Sequence, residues 1–137
     1  MRKLTGLFLL TFLFTGCHYI SDNALLGSWI CVNDHYVDNS MWLIIKFDSD
    51  MVSIESNPGD VGFTPLINGR CYYYRTSGGY LYMDTPVHCE DLSPLGPGGD
   101  MKFRITYNGR KLTLKEVREE SDFTYANYVE PLEFIKL

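Results

Sequence analysis

The chain has 137 residues and a formal charge of −5, because 17 Asp and Glu outnumber 12 Lys and Arg. This length fits one domain, and the acidic balance argues against nucleic acid as a partner, since Lys and Arg on phosphates supply much of that affinity. Ten Tyr, eight Phe and frequent Gly favour an all-β fold.

The first sixteen residues have the pattern of an export signal. Arg2 and Lys3 precede an apolar core over 4–14, much shorter than the roughly 20 apolar residues that span a bilayer. The core ends in Phe14-Thr15-Gly16-Cys17, which resembles the lipobox of bacterial lipoproteins, with Phe14 where the family usually has Leu. The resemblance implies cleavage before Cys17 and acylation of Cys17. Several acyl chains, at about 0.8 kcal/mol per buried methylene, would anchor the protein stably to a membrane.

Cleavage leaves 121 residues and a charge of −7, since Arg2 and Lys3 leave with the signal. The second mature residue is then His18, and by analogy with bacterial lipoproteins the lack of Asp there favours the outer membrane. We therefore expect a lipid-anchored protein of the bacterial cell envelope, with its periplasmic or surface exposure left open. Residues 17–26 would be the lipidated N-terminus and linker, and 27–137 the folded domain.

A helical turn is predicted within 21–27, capped by Ser21 or Asp22 and stopped by Gly27. Everything after it reads as strands, and in several of them apolar and polar residues alternate, so that one face is buried and one is wet. The last strand is less regular, because Phe134 and Ile135 are adjacent. The eight predicted strands are 27–34, 41–47, 51–56, 70–76, 79–84, 101–107, 110–116 and 131–137.

Short and long connections alternate along the chain. The short ones are Asp48-Ser49-Asp50, a turn at Ser77-Gly78, and Asn108-Gly109, a strong hairpin signal. The long ones are 35–40, 57–69, 85–100 and 117–130. In an up-and-down meander this places all tight turns at one end and all long loops at the other. Eight strands can close a barrel, so the predicted fold is an all-β, eight-stranded antiparallel up-and-down β-barrel.

Leu26-Gly27-Ser28-Trp29 resembles the Gly-x-Trp motif on the first strand of lipocalins and their bacterial lipocalin-like relatives. The resemblance implies a calycin-type barrel in which Trp29 closes the tight-turn end, and it suggests ligand binding by analogy. The chain departs from the family in having no second motif and no long helix after the last strand.

Strand parity and this resemblance together select six inward candidates: Trp29, Leu43, Ile45, Phe103, Ile105 and Leu114. These side chains could line a cavity for a small apolar or amphipathic ligand that enters through the loop end. They could equally fill the interior completely. The sequence leaves both readings open.

Three cysteines remain after Cys17. Cys71 and Cys89 both fall at the loop end of the predicted barrel, close enough in the chain to form a disulfide in an oxidising compartment. Cys31 shares the strand parity of Trp29 and is expected to be a buried thiol. The alternative is three reduced thiols.

No motif predicts catalysis, a metal or a cofactor. His35 lies near Asp34 and Asp38, and His88 lies beside Cys89-Glu90-Asp91, but neither spacing matches a metal site. Gly-x-Ser-x-Gly and His-Glu-x-x-His are absent from the sequence, and the Gly-rich run 96–99 precedes no helix. Glu119-Glu120 lies in an acidic stretch expected to be exposed. We expect a protein that is not an enzyme.

Five tyrosines crowd one predicted hairpin: Tyr72, Tyr73, Tyr74, Tyr80 and Tyr82. They can stabilise it by cross-strand pairing, or offer flat contact area to a partner. The first functional hypothesis is therefore a ligand-binding barrel. The alternative is an interaction or inhibitor lipoprotein that acts on an envelope protein through its loops and this hairpin. Periplasmic lysozyme inhibitors carry a Ser/Thr-Gly-x-x-Tyr loop, which Ser77-Gly78-Gly79-Tyr80 matches only with its Tyr displaced.

Overall fold

A computed structural model of the protein describes residues 22–38, 40–57, 66–96, 99–117 and 130–137. The predicted signal peptide (1–16), the lipidation site Cys17 and the acidic pair Glu119-Glu120 lie outside these residues. So does the side chain of His35.

Two short helices and eight strands make up the described chain. The helices are α1 (Asp22–Leu25) and α2 (Asp34–Asp38). The strands are β1 (Gly27–Cys31), β2 (Leu43–Phe47), β3 (Met51–Ser56), β4 (Arg70–Ser77), β5 (Tyr80–His88), β6 (Met101–Tyr107), β7 (Lys111–Glu116) and β8 (Leu132–Lys136).

The strands form a closed antiparallel barrel in the order β1 to β8, and β8 pairs back with β1. Ile30 of β1 lies opposite Ile135 of β8, and Cys31 lies opposite Phe134. The eight-stranded up-and-down barrel predicted from the sequence is therefore confirmed, and its architecture is lipocalin-like.

Closure is secured near the loop end by the side chain of Asn33, which follows β1. Its Nδ2 donates to the carbonyl of Pro131 at 2.9 Å, and its Oδ1 accepts the N–H of Glu133 at 2.8 Å. The thiol of Cys31 donates to the same Oδ1 at 3.2 Å. One buried amide thus joins the first strand to the last across about a hundred residues of sequence.

The three tight turns lie together at one end of the barrel, as predicted. Gly78 and Gly79 have φ values of +59° and +81°, so the turn is centred one residue later than the sequence suggested. Two positive φ values are what the two-residue hairpin turn needs, and glycine adopts them at low cost. In the β6–β7 hairpin, Asn108 Oδ1 accepts the N–H groups of Arg110 and Lys111.

The observed secondary structure differs from the elements predicted from the sequence mainly in two places. β1 ends at Cys31 and β2 begins at Leu43, and α2 lies between them where a loop was expected. β5 was expected to end at 84 but continues to His88 through an irregularity at Thr85-Pro86. Proline lacks the N–H that a regular ladder needs, so it is tolerated in a strand where pairing is interrupted by a bulge.

Candidate functional site

The six inward candidates all lie in one core cluster inside the barrel. Ile105 is 6% exposed, and the other five, Trp29, Leu43, Ile45, Phe103 and Leu114, are at most 2% exposed. A ligand-sized cavity would leave water-accessible surface on the side chains that line it. These side chains have almost none, so they fill the interior around one another.

Trp29 lies near the tight-turn end of the barrel, where β1 begins, and is fully buried. Its indole Nε1 donates to the carbonyl of Leu25 in α1 at 2.9 Å, and Tyr107 packs edge-on against its ring with centroids 5.9 Å apart. The ammonium of Lys136 lies 5.5 Å from the ring centre. Gly27 of the motif has a φ of +116°, and a Cβ there would lie 3.2 Å from the Lys136 side chain. Glycine suits this position for both reasons.

The loop end also contributes side chains to the core. Tyr36 of α2 and Leu66 of the β3–β4 connection are each 2% exposed and belong to the same cluster. No pattern in the sequence predicted a core position for Tyr36, because its segment reads as a polar loop. These two side chains occupy part of the end through which a ligand was expected to enter.

Cys71 and Cys89 are joined by a disulfide, with Cα atoms 5.1 Å apart. The bridge fastens the turn after β5 to the start of β4, where the N–H of Cys89 also donates to the carbonyl of Gly69 at 3.1 Å. Cys31 is buried, as expected for a core thiol.

A groove of about 560 Å³ lies beside this disulfide, lined by residues that include Arg70, His88 and Glu90. Asp91 borders it too, and hydrogen bonds from the hydroxyl and the N–H of Ser93 lower the pKa of its carboxyl below the ordinary value. Cationic and anionic groups are mixed here, and Cys89 is tied up in the disulfide. Among the described residues, no three His, Cys, Asp or Glu side chains are grouped to hold a metal ion.

The tyrosines of β4 and β5 lie on the faces that the alternation of the two strands predicted. Tyr72 and Tyr74 point into the barrel and are buried, whereas Tyr73 points outward and is 43% exposed. Tyr80 and Tyr82 lie on the outer face of β5, with ring centroids 6.5 Å apart. Two of the five tyrosines therefore belong to the core, and three lie on the surface.

Cations from both neighbouring strands pack on the two β5 rings. Arg75 of β4 lies 3.9 Å from the ring centre of Tyr82, and Lys102 of β6 lies 4.3 Å from that of Tyr80. Arg104 donates to the hydroxyl of Tyr80 at 3.2 Å. We call the outward side chains of these strands the tyrosine–cation face: Tyr73, Arg75, Ser77, Tyr80, Tyr82, Asp84, Lys102, Arg104 and Thr106.

Lys102 and Arg104 alternate with apolar residues along β6, so their outward side follows from the sequence, but their approach to the tyrosines does not. It depends on the register that places Tyr82 opposite Lys102 and Tyr80 opposite Arg104. Within the part of the chain that the structure covers, Lys102 and Arg104 form no ion pair, and Arg75 reaches Asp84 only at 4.0 Å. The face therefore carries net positive charge on an acidic protein.

In comparisons with known proteins, no family model, curated protein or solved structure gives a significant match to this chain. Among the described residues, no helix is long and apolar enough to cross a membrane.

Proposed function

We propose that this protein is a lipid-anchored lipoprotein of the bacterial cell envelope that binds an acidic protein partner through its tyrosine–cation face. The acylated Cys17 is the anchor. The second mature residue is His18 and not Asp, which favours the outer membrane as the site of anchoring. The role is binding without catalysis, since no catalytic motif is present in the sequence.

The observation that carries this proposal is the stacking of cations on the half-buried, outward-facing rings of Tyr80 and Tyr82. A cation near an aromatic ring gains about 0.5–1 kcal/mol at an exposed site, so Arg75 and Lys102 are held in place before a partner arrives. Tyrosine and arginine are also the residues that most often dominate protein–protein binding energy. The outer wall of a barrel is convex, which suits another protein surface better than a small molecule.

Charge selects the kind of partner. After the proposed cleavage the chain has a formal charge of −7, yet the tyrosine–cation face has three cations, Arg75, Lys102 and Arg104, against the single carboxylate of Asp84. An acidic protein would be repelled by the rest of the molecule and attracted to this face. Such complementarity fixes orientation and speeds association.

The test uses the detergent-purified lipoprotein as bait for an envelope extract. Wild type is compared with the double variant Lys102→Glu and Arg104→Glu, and with a control of equal charge change, Lys46→Glu and Arg110→Glu, at exposed positions elsewhere. We expect one stoichiometric acidic partner that binds wild type and the control, is lost by the first variant, and dissociates as salt is raised. Equal capture by all three baits would refute the proposal.

A second candidate is a small apolar or amphipathic ligand held inside the barrel, and the closed lipocalin-like architecture is what favours it. It requires Trp29, Leu43, Ile45, Phe103, Ile105 and Leu114 to move apart, since they are packed together without it. Native mass spectrometry of the protein purified from its own membrane distinguishes the two functions. A stoichiometric small molecule released on unfolding would support the second candidate, and its absence would support the first.

A further inference from the structure

The wall of the barrel formed by β8, β1 and β2 is apolar on its outer side. Its central row consists of three isoleucines in direct cross-strand register, Ile135, Ile30 and Ile44. Trp42 is two residues before Ile44, on the same face, and is 38% exposed. Leu137 is two residues after Ile135 and is 69% exposed. With Val32, these residues form what we call the apolar stripe: Ile30, Val32, Trp42, Ile44, Ile135 and Leu137.

The stripe occupies most of this wall. The three strands and their ends have nine outward positions, and six of them are these apolar side chains. The other three are Ser28, Lys46 and Glu133. Glu133 is paired with Lys111 of β7 at 2.8 Å. The tyrosine–cation face has nine outward positions as well and no aliphatic side chain among them. Contiguous apolar side chains on an outer wall are candidates for a contact with a protein or a membrane.

Two features of the chain select a membrane as the occupant. Only four residues, 18–21, lie between Cys17 and Asp22, where α1 begins, so the Cα atoms of Cys17 and Asp22 are at most about 18 Å apart even when this segment is fully extended. α1 is followed at once by β1, which is the central strand of the stripe. A lipid anchor on Cys17 would therefore hold the stripe beside the bilayer at high effective concentration.

The size of the stripe argues against a second copy of the chain. Three strands about 4.8 Å apart and five residues at about 3.3 Å each cover roughly 250 Å². A specific protein interface buries about 800 Å² on each partner. A shallow membrane contact needs less, because the acyl chains already supply most of the binding energy. Tryptophan, as at Trp42, is also enriched at the boundary between lipid and water.

We propose that the apolar stripe lies on the lipid surface beside the anchor, so that the barrel rests on its side. This inference rests on the proposed lipidation of Cys17. In the closed strand order, β1 is opposite β5. The same orientation therefore turns the tyrosine–cation face away from the membrane, towards the partner proposed above. The loop end would then point along the membrane instead of away from it.

The experiment uses the two tryptophans of the full-length lipoprotein, reconstituted in phosphatidylcholine vesicles. Trp29 is fully buried in the barrel, and Trp42 is in the stripe, so one protein contains both an internal reference and a reporter. Phosphatidylcholine brominated near the headgroup end of its acyl chains should quench most of the Trp42 emission, because interfacial side chains sit about 5–10 Å into the boundary region. Trp42→Phe isolates the emission of Trp29, which should remain.

A matched pair of variants tests the orientation. Ile135 and Tyr73 are 44% and 43% exposed and lie on opposite walls. Ile135→Lys should lift the stripe from the lipid and restore Trp42 emission, whereas Tyr73→Lys should leave the quenching unchanged. An unchanged Trp29 emission maximum in both variants verifies that the barrel is intact.

Failure of the anchor and failure of the orientation give different results. Flotation of wild type with vesicles, and its loss in Cys17→Ser, tests the anchor; a wild type that does not float overturns the anchor and the orientation together. Wild type that floats with unquenched Trp42 overturns the orientation alone. A concentration-dependent dimer of Cys17→Ser that Ile135→Lys abolishes would assign the stripe to a second copy and overturn the lipid contact.

Discussion

Replacement of Phe103 by alanine tests whether the barrel interior is filled. Phe103 is 1% exposed, belongs to the core cluster, and pairs across the sheet with Leu81 of β5. A buried phenylalanine removes roughly 150–250 Å² from water, which at about 25 cal/mol per Å² corresponds to about 4–6 kcal/mol. Alanine retains a small part of this, and the remaining cavity adds to the loss. The expected cost is about 3–5 kcal/mol.

The free energy of unfolding is measured by urea denaturation followed by tryptophan fluorescence, with the disulfide intact. Domains of this kind are stable by about 5–15 kcal/mol, so the variant should remain folded with a much lower midpoint. Thr106→Ala on the exposed side of the same strand is the control and should change stability by less than about 0.5 kcal/mol. An apolar probe such as benzene should bind the Phe103→Ala cavity and not wild type.

A cost below about 1 kcal/mol would refute the reasoning, because it would mean that Phe103 faces space that is already empty or wet. Binding of the apolar probe to wild type would lead to the same conclusion. Either result would favour the ligand-binding candidate over the surface-binding one.

Three further outcomes are expected. Replacement of Cys71 and Cys89 by serine should lower the free energy of unfolding by about 3 kcal/mol in urea titrations, since the bridge spans 18 residues. Asn33→Ala should cost about 1–3 kcal/mol in the same assay, because the N–H of Glu133 loses its buried acceptor. Ser93→Ala should raise the pKa of Asp91 towards its ordinary value in a carboxyl NMR titration. Because the folded-state pKa of Asp91 is lowered, its contribution to holding the turn is present above the unfolded pKa and is lost as pH falls through the folded one.

The barrel architecture was predictable because its signals are local. Alternation along β2 and β6 placed Leu43, Ile45, Phe103 and Ile105 inside, and a one-residue slip would have exposed them all, so their register is strongly determined. The bridge between Cys71 and Cys89 could be proposed because the β4–β5 hairpin brings both residues to one end of the barrel.

The sequence did not predict α2, the burial of Tyr36 or the continuation of β5, because these features depend on tertiary contacts and not on a local sequence pattern. α2 has five residues, and Tyr36 is in the core because the helix lies where the barrel interior is otherwise open. An isolated helix of that length is not stable in water, so tertiary packing decides that it forms. The continuation of β5 past Thr85-Pro86 likewise depends on its pairing with β4, where Cys71 lies opposite Val87.

The sequence by itself determined the eight strands, the end of the barrel at which each turn lies, and the side that faces inward in the strands with regular alternation, such as β2 and β6. Only the tertiary structure decided that Tyr36 helps fill the loop end of the barrel, and that Ile30 stands between Ile44 and Ile135. The physical reason is that alternation acts within one strand, whereas the composition of each outer wall depends on the register between strands. For β1 and β8 that register joins residues about a hundred positions apart, so no segment of the sequence contains it.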